Sequence, residues 1–461
     1  MARERVGDFE ITDVYDILEE EFEQFKYDHD DFTWWQEDET PYTEEEYRWN
    51  LFGDLQPGQE FTVTKYFGNG EKIVIPDKAT QLSSGLFEGN GKIKSVIIPD
   101  SVKIISDSVF KNCTALEEVK FGKGIEDIYA DAFSGCTALK EIDIPKGLTS
   151  IRNGVFSKCS ALTQVVIPDN IERIGESTFA DCASLSSVHL GSGLKRINYY
   201  AFRRCKLLKS ITLPQSLEVV HLTAFLETGI EELYLPKNVS DIGNITSCKN
   251  LKKIEVDPEN PHLLCKDNCV ISRYSGMLYA AIGKYKLPDD GSIKMIFHWG
   301  LYNNPDLTEI DIPEGVTKLY SSALELCKNL RRVTLPSTLE IIGERAFGSS
   351  HALEEIVIPG SVKEIQKEAF EFSGIKKLVI KRGVKIIGIN AFHCCRQLVE
   401  VHIPSSVYRI DGGPFSGDLF KDCHKNLCVY MEKWENGAHK YLARFLGKVK
   451  VEFVDRDPVC D

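Results

Sequence analysis

Seven phenylalanines, Phe87, Phe110, Phe133, Phe156, Phe179, Phe202 and Phe225, stand 23 residues apart. A cysteine row keeps the same step (Cys113, Cys136, Cys159, Cys182, Cys205), and so does a leucine row (Leu116, Leu139, Leu162, Leu185, Leu208). Three residue rows in one register leave few folds open. A period of this length marks a repeat array, in which no unit buries its own apolar face and each depends on its neighbours. The length of 461 residues is then no guide to domain count, because such an array grows by adding coils to one continuous core.

One copy shows the local logic: Leu139-Lys-Glu-Ile142-Asp-Ile144-Pro145-Lys-Gly-Leu148-Thr-Ser-Ile151, ending at Val155-Phe156 and Cys159. The Ile142-x-Ile144 alternation predicts a short strand with both apolar side chains inward. Pro145 lacks an N–H and ends the pairing. Leu148 and Ile151 return the chain across the core, and Phe156 closes the coil on a short helical turn.

Strand cores recur at 73–76, 96–99, 119–122, 142–145, 165–168, 188–191, 211–214, 233–236 and 254–257. The step fails over residues 258–305, where Ser275-Gly276 is a turn signal and 278–282 and 285–288 are expected strands. We read an enlarged coil there, carrying a β-hairpin that protrudes. The repeat resumes at 310–313, 333–336, 356–359, 378–381 and 401–404, with Phe347, Phe370, Phe392 and Phe415. The chain closes with an expected strand (427–431), helix (434–446) and strand (448–454). The fold class expected is a repeat solenoid of about fifteen coils with a parallel β-sheet face and short helical turns. Its parts are an acidic, partly helical region 1–58, the solenoid 59–425 and a cap 426–461.

Charge is uneven. Residues 1–50 hold 18 Asp/Glu and 4 Lys/Arg, which accounts for the whole net charge of −14, and the remainder carries 51 of each sign. A neutral body with an acidic head excludes general nucleic-acid binding, which needs clustered cations to displace counterions. No stretch approaches the roughly 20 apolar residues needed to cross a bilayer, so no membrane insertion is expected. In the head, Val14, Ile17, Leu18, Phe22 and Phe25 share one helical face, and Thr43-Glu44-Glu45-Glu46 has the form of a capping box. Between them lie Trp34 and Trp35 in an acidic, aromatic run. The head is either a cap over the first coil or a docking arm for a basic partner.

The 14 cysteines read as free thiols. Five stack in parallel in the ladder, and side chains pointing the same way cannot face each other for a disulfide. Free thiols in this number favour a reducing compartment, and the N-terminus lacks an apolar leader. The expectation is a cytoplasmic protein, with cell surface or secretion as the alternative if a signal was removed.

The copies Ile-Pro-x-x-Val-x-x-Ile-x-x-x-Ala-Phe-x-x-Cys-x-x-Leu resemble the BspA-type leucine-rich repeats of many bacteria and some protozoa, over roughly residues 60–455. The resemblance includes the Val256-Asp-Pro-Glu-Asn-Pro261 insert and the closing strand-helix-strand. It implies adhesive or scaffold surfaces that bind other proteins, and it brings no catalytic residues.

Candidate chemistry is thin. His262-x-x-Cys265-x-x-x-Cys269 offers three potential zinc ligands where a structural site takes four. His393-Cys394-Cys395 is read as the ladder cysteine with a neighbour, and Cys423-His424 with Cys428 belongs to the terminal cap. No Gly-rich phosphate loop opens a helix. The expectation is no catalytic residue, no cofactor and no metal. What remains is the sheet face, the usual recognition surface of solenoids. The central outward residues include Val166, His189, Tyr234, Val357, Val379 and His402, flanked by Arg332 and Lys377. Val357 and Val379 are apolar neighbours there, and only a contiguous apolar patch is informative. The function expected is a non-enzymatic scaffold that binds a protein partner through this face and the 258–305 insert. The alternative is a regulatory or accessory subunit docked through the acidic head, to which Trp34 and Trp35 belong.

Overall fold

A computed structural model of the chain describes residues 3–14, 17, 18, 20, 34, 35, 41, 42, 60–243, 248, 250–282, 286–411, 419–434 and 439–461. It divides into two compact units, Met1–Ser216 and Leu217–Asp461. Both are stacks of parallel coils, and one coil of the first unit explains the rest.

In residues 162–182 the first strand, Gln164–Val166, pairs in register with Ser187–His189, Val165 beside Val188. Val165 points into the core and Val166 away from it, as alternation requires. After Pro168 and the buried Ile171, a second strand forms at Arg173–Ile174. It pairs on one side with Ser150–Ile151 and on the other with Arg196–Ile197. Most regular coils thus contribute to two parallel sheets, though the expected strand cores 142–145 and 211–214 form no strand, and the second sheet had no alternating pattern long enough to reveal it.

The turn at Phe225 is a 3-10 turn, Leu222–Phe225, whereas that around Phe179 is not helical. Ser177 and Asp181 flank Phe179 with φ of +55° and +61°, the left-handed region that breaks a right-handed helix. The N–H groups of Ser177, Phe179 and Asp181 donate to the carbonyls of Tyr199, Ala201 and Arg203 in the next coil, at 3.0, 2.7 and 2.7 Å. Inter-coil pairing has therefore replaced the i to i−4 ladder of a helix there, so helical turns such as Leu222–Phe225 are few among the described residues. It leaves the rings free to stack. Phe133, Phe156 and Phe179 lie 5.7 and 5.6 Å apart, within 16° of parallel and wholly buried.

The cysteine ladder is more than filler. Each Sγ donates to the backbone carbonyl of the preceding coil's phenylalanine, as Cys136 does to Phe110 and Cys182 to Phe156, both at 3.2 Å. Ser350 plays the same part toward Leu324. All fourteen cysteines are free.

At the start of the first unit, Arg3–Val6 and Phe9–Asp13 form an antiparallel hairpin that joins Phe61–Tyr66. Phe9 and Ile11 are buried, and Phe9 lies against Tyr66 and Phe87, so residues 3–13 close the end of the core. Val14, Ile17 and Leu18 are helical. Trp34–Trp35 pairs with Pro41–Tyr42, and the expected capping box at 43–46 lies outside the described residues.

In the second unit the insert departs from expectation. Leu263–Lys266, Cys269–Ser272 and Met277–Ala281 form an antiparallel meander that becomes the edge of the second sheet through Met295–Ile296. Cys269, Val270 and Ile271 are buried, so the hairpin is built into the core and does not protrude. Residues 286–288 form no strand. Phe415 is outside the described residues, and Phe420 stacks on Phe392 at 5.9 Å. The end comprises Cys428–Glu432, the helical residues His439–Leu442 and Ala443–Phe445 within the expected helix (435–438 lie outside the described residues), and Lys450–Val454.

Candidate sheet-face binding site

The outward positions of the first sheet are the candidate site, because the strands hold them in rows at fixed spacing. In the first unit Val166 and His189 are exposed, Val166 at 59%. A shallow trough of about 870 Å³ lies in the second unit. Tyr234, Lys253 and Glu255 reach it from the sheet, and Cys265, Asn268 and Lys286 from the insert. Lys253 and Glu255 pair at 2.8 Å. A hydrogen bond to Asp257 pushes the Tyr234 phenol above its ordinary range, so it meets a partner as a neutral group. A comparable trough of about 800 Å³ lies in the first unit, along Lys120, Asp143 and Val166.

Further along the second unit, Arg332 is tied to Glu309 and Asp311 at 3.1 and 3.0 Å, and Val357 is exposed. There the expected patch stops. Val379 is 6% and His402 7% exposed, against the outward, accessible placement expected of both. The physical reason is the segment that follows the last strand. Residues Pro458–Cys460 form a turn packed over Lys377–Ile380 and Glu400–Ile403. Asp457 hydrogen-bonds His402 Nδ1, while Glu400 meets Nε2 at 2.8 Å. The imidazole stacks on Tyr430 at 5.0 Å. Lys377 is held by Glu400 at 2.7 Å.

Glu432 organises this clasp. Its carboxylate takes both arms of the Arg382 guanidinium at 2.7 Å and the backbone N–H groups of Ser405 and Asp457 at 2.6 and 2.9 Å. Burial works to raise its pKa, but the Arg382 fork and the two N–H donors prevail and hold the carboxyl at about 2. Arg382 also reaches Asp461 at 3.0 Å, and its N–H donates to the Cys460 carbonyl. The buried Cys460 thiol is pushed up to about 12 by burial. The sequence held one signal of this: where neighbouring coils carry Pro336, Pro359 and Pro404 after the strand, this one carries Lys381-Arg382.

The three potential zinc ligands that the sequence offered in the insert are not grouped among the described residues. Cys265 Sγ donates to the Ile254 carbonyl at 3.2 Å, and His262 lies beside Tyr274. Trp34 and Trp35 stand on a strand remote in sequence from the sheet-face candidates. Among the described residues no helix is long and apolar enough to cross a membrane.

Stacked parallel coils with one apolar interior and an outward sheet face define a leucine-rich repeat solenoid. The chain belongs to the BspA-type leucine-rich repeat family, whose repeat region matches residues 65–184, 173–264 and 296–425. Among solved structures it is similar to a leucine-rich cell surface protein of Faecalibacterium prausnitzii, at TM-score 0.55 and 19% identity over 100% of this chain and 96% of that one. It is also similar to the pneumococcal vaccine antigen PcpA, at TM-score 0.54 and 19% identity over 98% and 99% of the two chains. A leucine-rich repeat protein of Eubacterium ventriosum matches at TM-score 0.53 and 20% identity, over 65% of this chain and 87% of that one. No individual curated protein matches significantly.

Proposed function

We propose that the chain is a non-enzymatic scaffold that binds a protein partner on its sheet face, with the trough around Tyr234 as the centre of contact. The observation that carries this is the meeting of Tyr234, Lys253 and Glu255 from the sheet with Asn268 and Lys286 from the insert along one concave surface. A rigid aromatic ringed by charged groups is the composition of a contact hot spot, and insertions in repeat proteins frequently carry the binding face. Arg332 and Val357 are exposed outward positions of the same unit, and Val166 and His189 hold such positions in the first unit. Val379 and His402 contribute only when the clasp opens, whereas Lys377, paired with Glu400, keeps its side chain exposed. Two of the relatives are, by name, a cell surface protein and a vaccine antigen, which favours the surface alternative over the cytoplasmic location expected from the thiols.

A photo-crosslinker at position 234 tests the reading. It should trap a partner that the same group at Asp143 in the other trough does not, and Lys286→Glu should abolish the adduct without shifting the melting temperature. Equal trapping at both positions rejects the Tyr234 trough. The second reading, docking through the acidic head, is favoured by the confinement of all excess charge to residues 1–50. Replacing residues 21–58 with a short Gly/Ser linker keeps the capping hairpin 3–13. If that change alone removes the partner, the head is the docking element.

A further inference from the structure

We propose that His393, Cys394 and Asp422 form a binding site for a single zinc-type divalent cation on the phenylalanine-turn ridge of the second unit, with a fourth position open to solvent. Their ligand atoms all lie within 4.8 Å of one another. His393 Nε2 is 3.4 Å from Cys394 Sγ and 3.6 Å from an Asp422 oxygen. Tetrahedral zinc with its usual Zn–N, Zn–S and Zn–O lengths sets neighbouring ligand atoms about 3.3–3.6 Å apart.

A second observation concerns the imidazole. His393 Nδ1 lies 2.8 Å from Glu371 Oε1, and the other oxygen of this buried carboxylate faces Arg345 at 3.4 Å. A ligating histidine characteristically gives its remote N–H to a carboxylate, which fixes the tautomer and frees the other nitrogen for the metal. That pre-sets Nε2 as the ligand atom. It leaves the Nε2 lone pair facing the Asp422 carboxylate, an arrangement that a cation between them makes favourable.

The fold supplies the convergence. Cys394 and Asp422 each stand two residues after a stacked phenylalanine, Phe392 and Phe420, with φ of +57°. The Cys394 N–H donates to the Lys421 carbonyl at 2.9 Å. The two side chains therefore rise from equivalent points of successive coils. In the first unit the corresponding positions hold Asp181 and Arg204, an ion pair at 3.4 Å. Cys395, not Cys394, takes the ladder place and donates to the Phe370 carbonyl, and the buried Cys394 turns instead toward His393 Nε2. Burial first, then the Asp422 carboxylate, raise the Cys394 thiol above its ordinary value, against Arg396.

Cobalt(II), which reports thiolate ligation as a near-ultraviolet charge-transfer band, tests the site in the full chain. One equivalent should give that band. Cys394→Ser should abolish it, and Asp422→Asn, at an exposed position, should weaken binding at least tenfold with an unchanged melting temperature. A band that survives Cys394→Ser, equal affinity in Asp422→Asn, or no stoichiometric binding would overturn the assignment. In the last case His393 only bridges Glu371 and Asp422.

Discussion

Val166 in the first unit and Val379 in the second occupy the same place in their coils, the outward centre of a first-sheet strand. One is 59% exposed and the other 6%. Backbone alternation aims both side chains away from the core, and that is all it does. Whether such a residue meets water depends on what else folds onto the face. At Val166 nothing among the described residues does; at Val379 the turn Pro458–Cys460 lies over the strand. A repeat thus decides the direction of a side chain, and a remote segment decides its environment.

The comparison can be broken or sharpened experimentally. The largest effect belongs to what the two units share. Phe156→Ala removes a wholly buried ring from the middle of a stack and should cost about 3–5 kcal/mol in denaturant titration. A loss under about 1 kcal/mol contradicts an interior row.

Next is the clasp, present only in the second unit. Glu432→Ala strands Arg382 and two N–H donors and should cost about 2–4 kcal/mol, less than a fully buried pair because Arg382 keeps water contact. It should show as faster amide exchange at Val459 and Cys460. The same opening should follow from acid. The Glu432 carboxyl is held at about 2 from an ordinary 4.5. Its contribution is therefore complete above about pH 4.5 and is lost as pH falls toward 2. Exchange at these residues that does not change across this window would separate the clasp from Glu432.

The smallest effect is the most direct comparison. Val379→Ala removes two buried methyl groups and should cost about 1.5–2.5 kcal/mol, whereas Val166→Ala should stay within about 0.5 kcal/mol. Equal costs would mean that the first-unit face is covered as well.

Much of the fold was legible because the 23-residue rows and the Val-x-Ile alternations are local and repeated. The second sheet was not, since strands of two residues such as Arg173–Ile174 are too short to show a period. The non-helical turn was hidden because Ser177 and Asp181 adopt left-handed backbone without glycine, held there by N–H groups that bond to another coil. Of the candidate site, the outward positions were readable from strand phase. The trough was not, because it needs the insert to lie beside Tyr234. The closeness of Cys394 to Asp422 was hidden for a similar reason, as Asp422 belongs to the next coil.

By itself the sequence determined the coil: its length, its inward rows and its outward positions, because each follows from apolar spacing within a single repeat. Only the tertiary structure decided which outward positions remain open, which thiol leaves the ladder, and where the tail comes to rest. Those outcomes rest on contacts such as Lys381 with Asp461, 80 residues apart at 3.0 Å, and no periodic pattern encodes a contact made once.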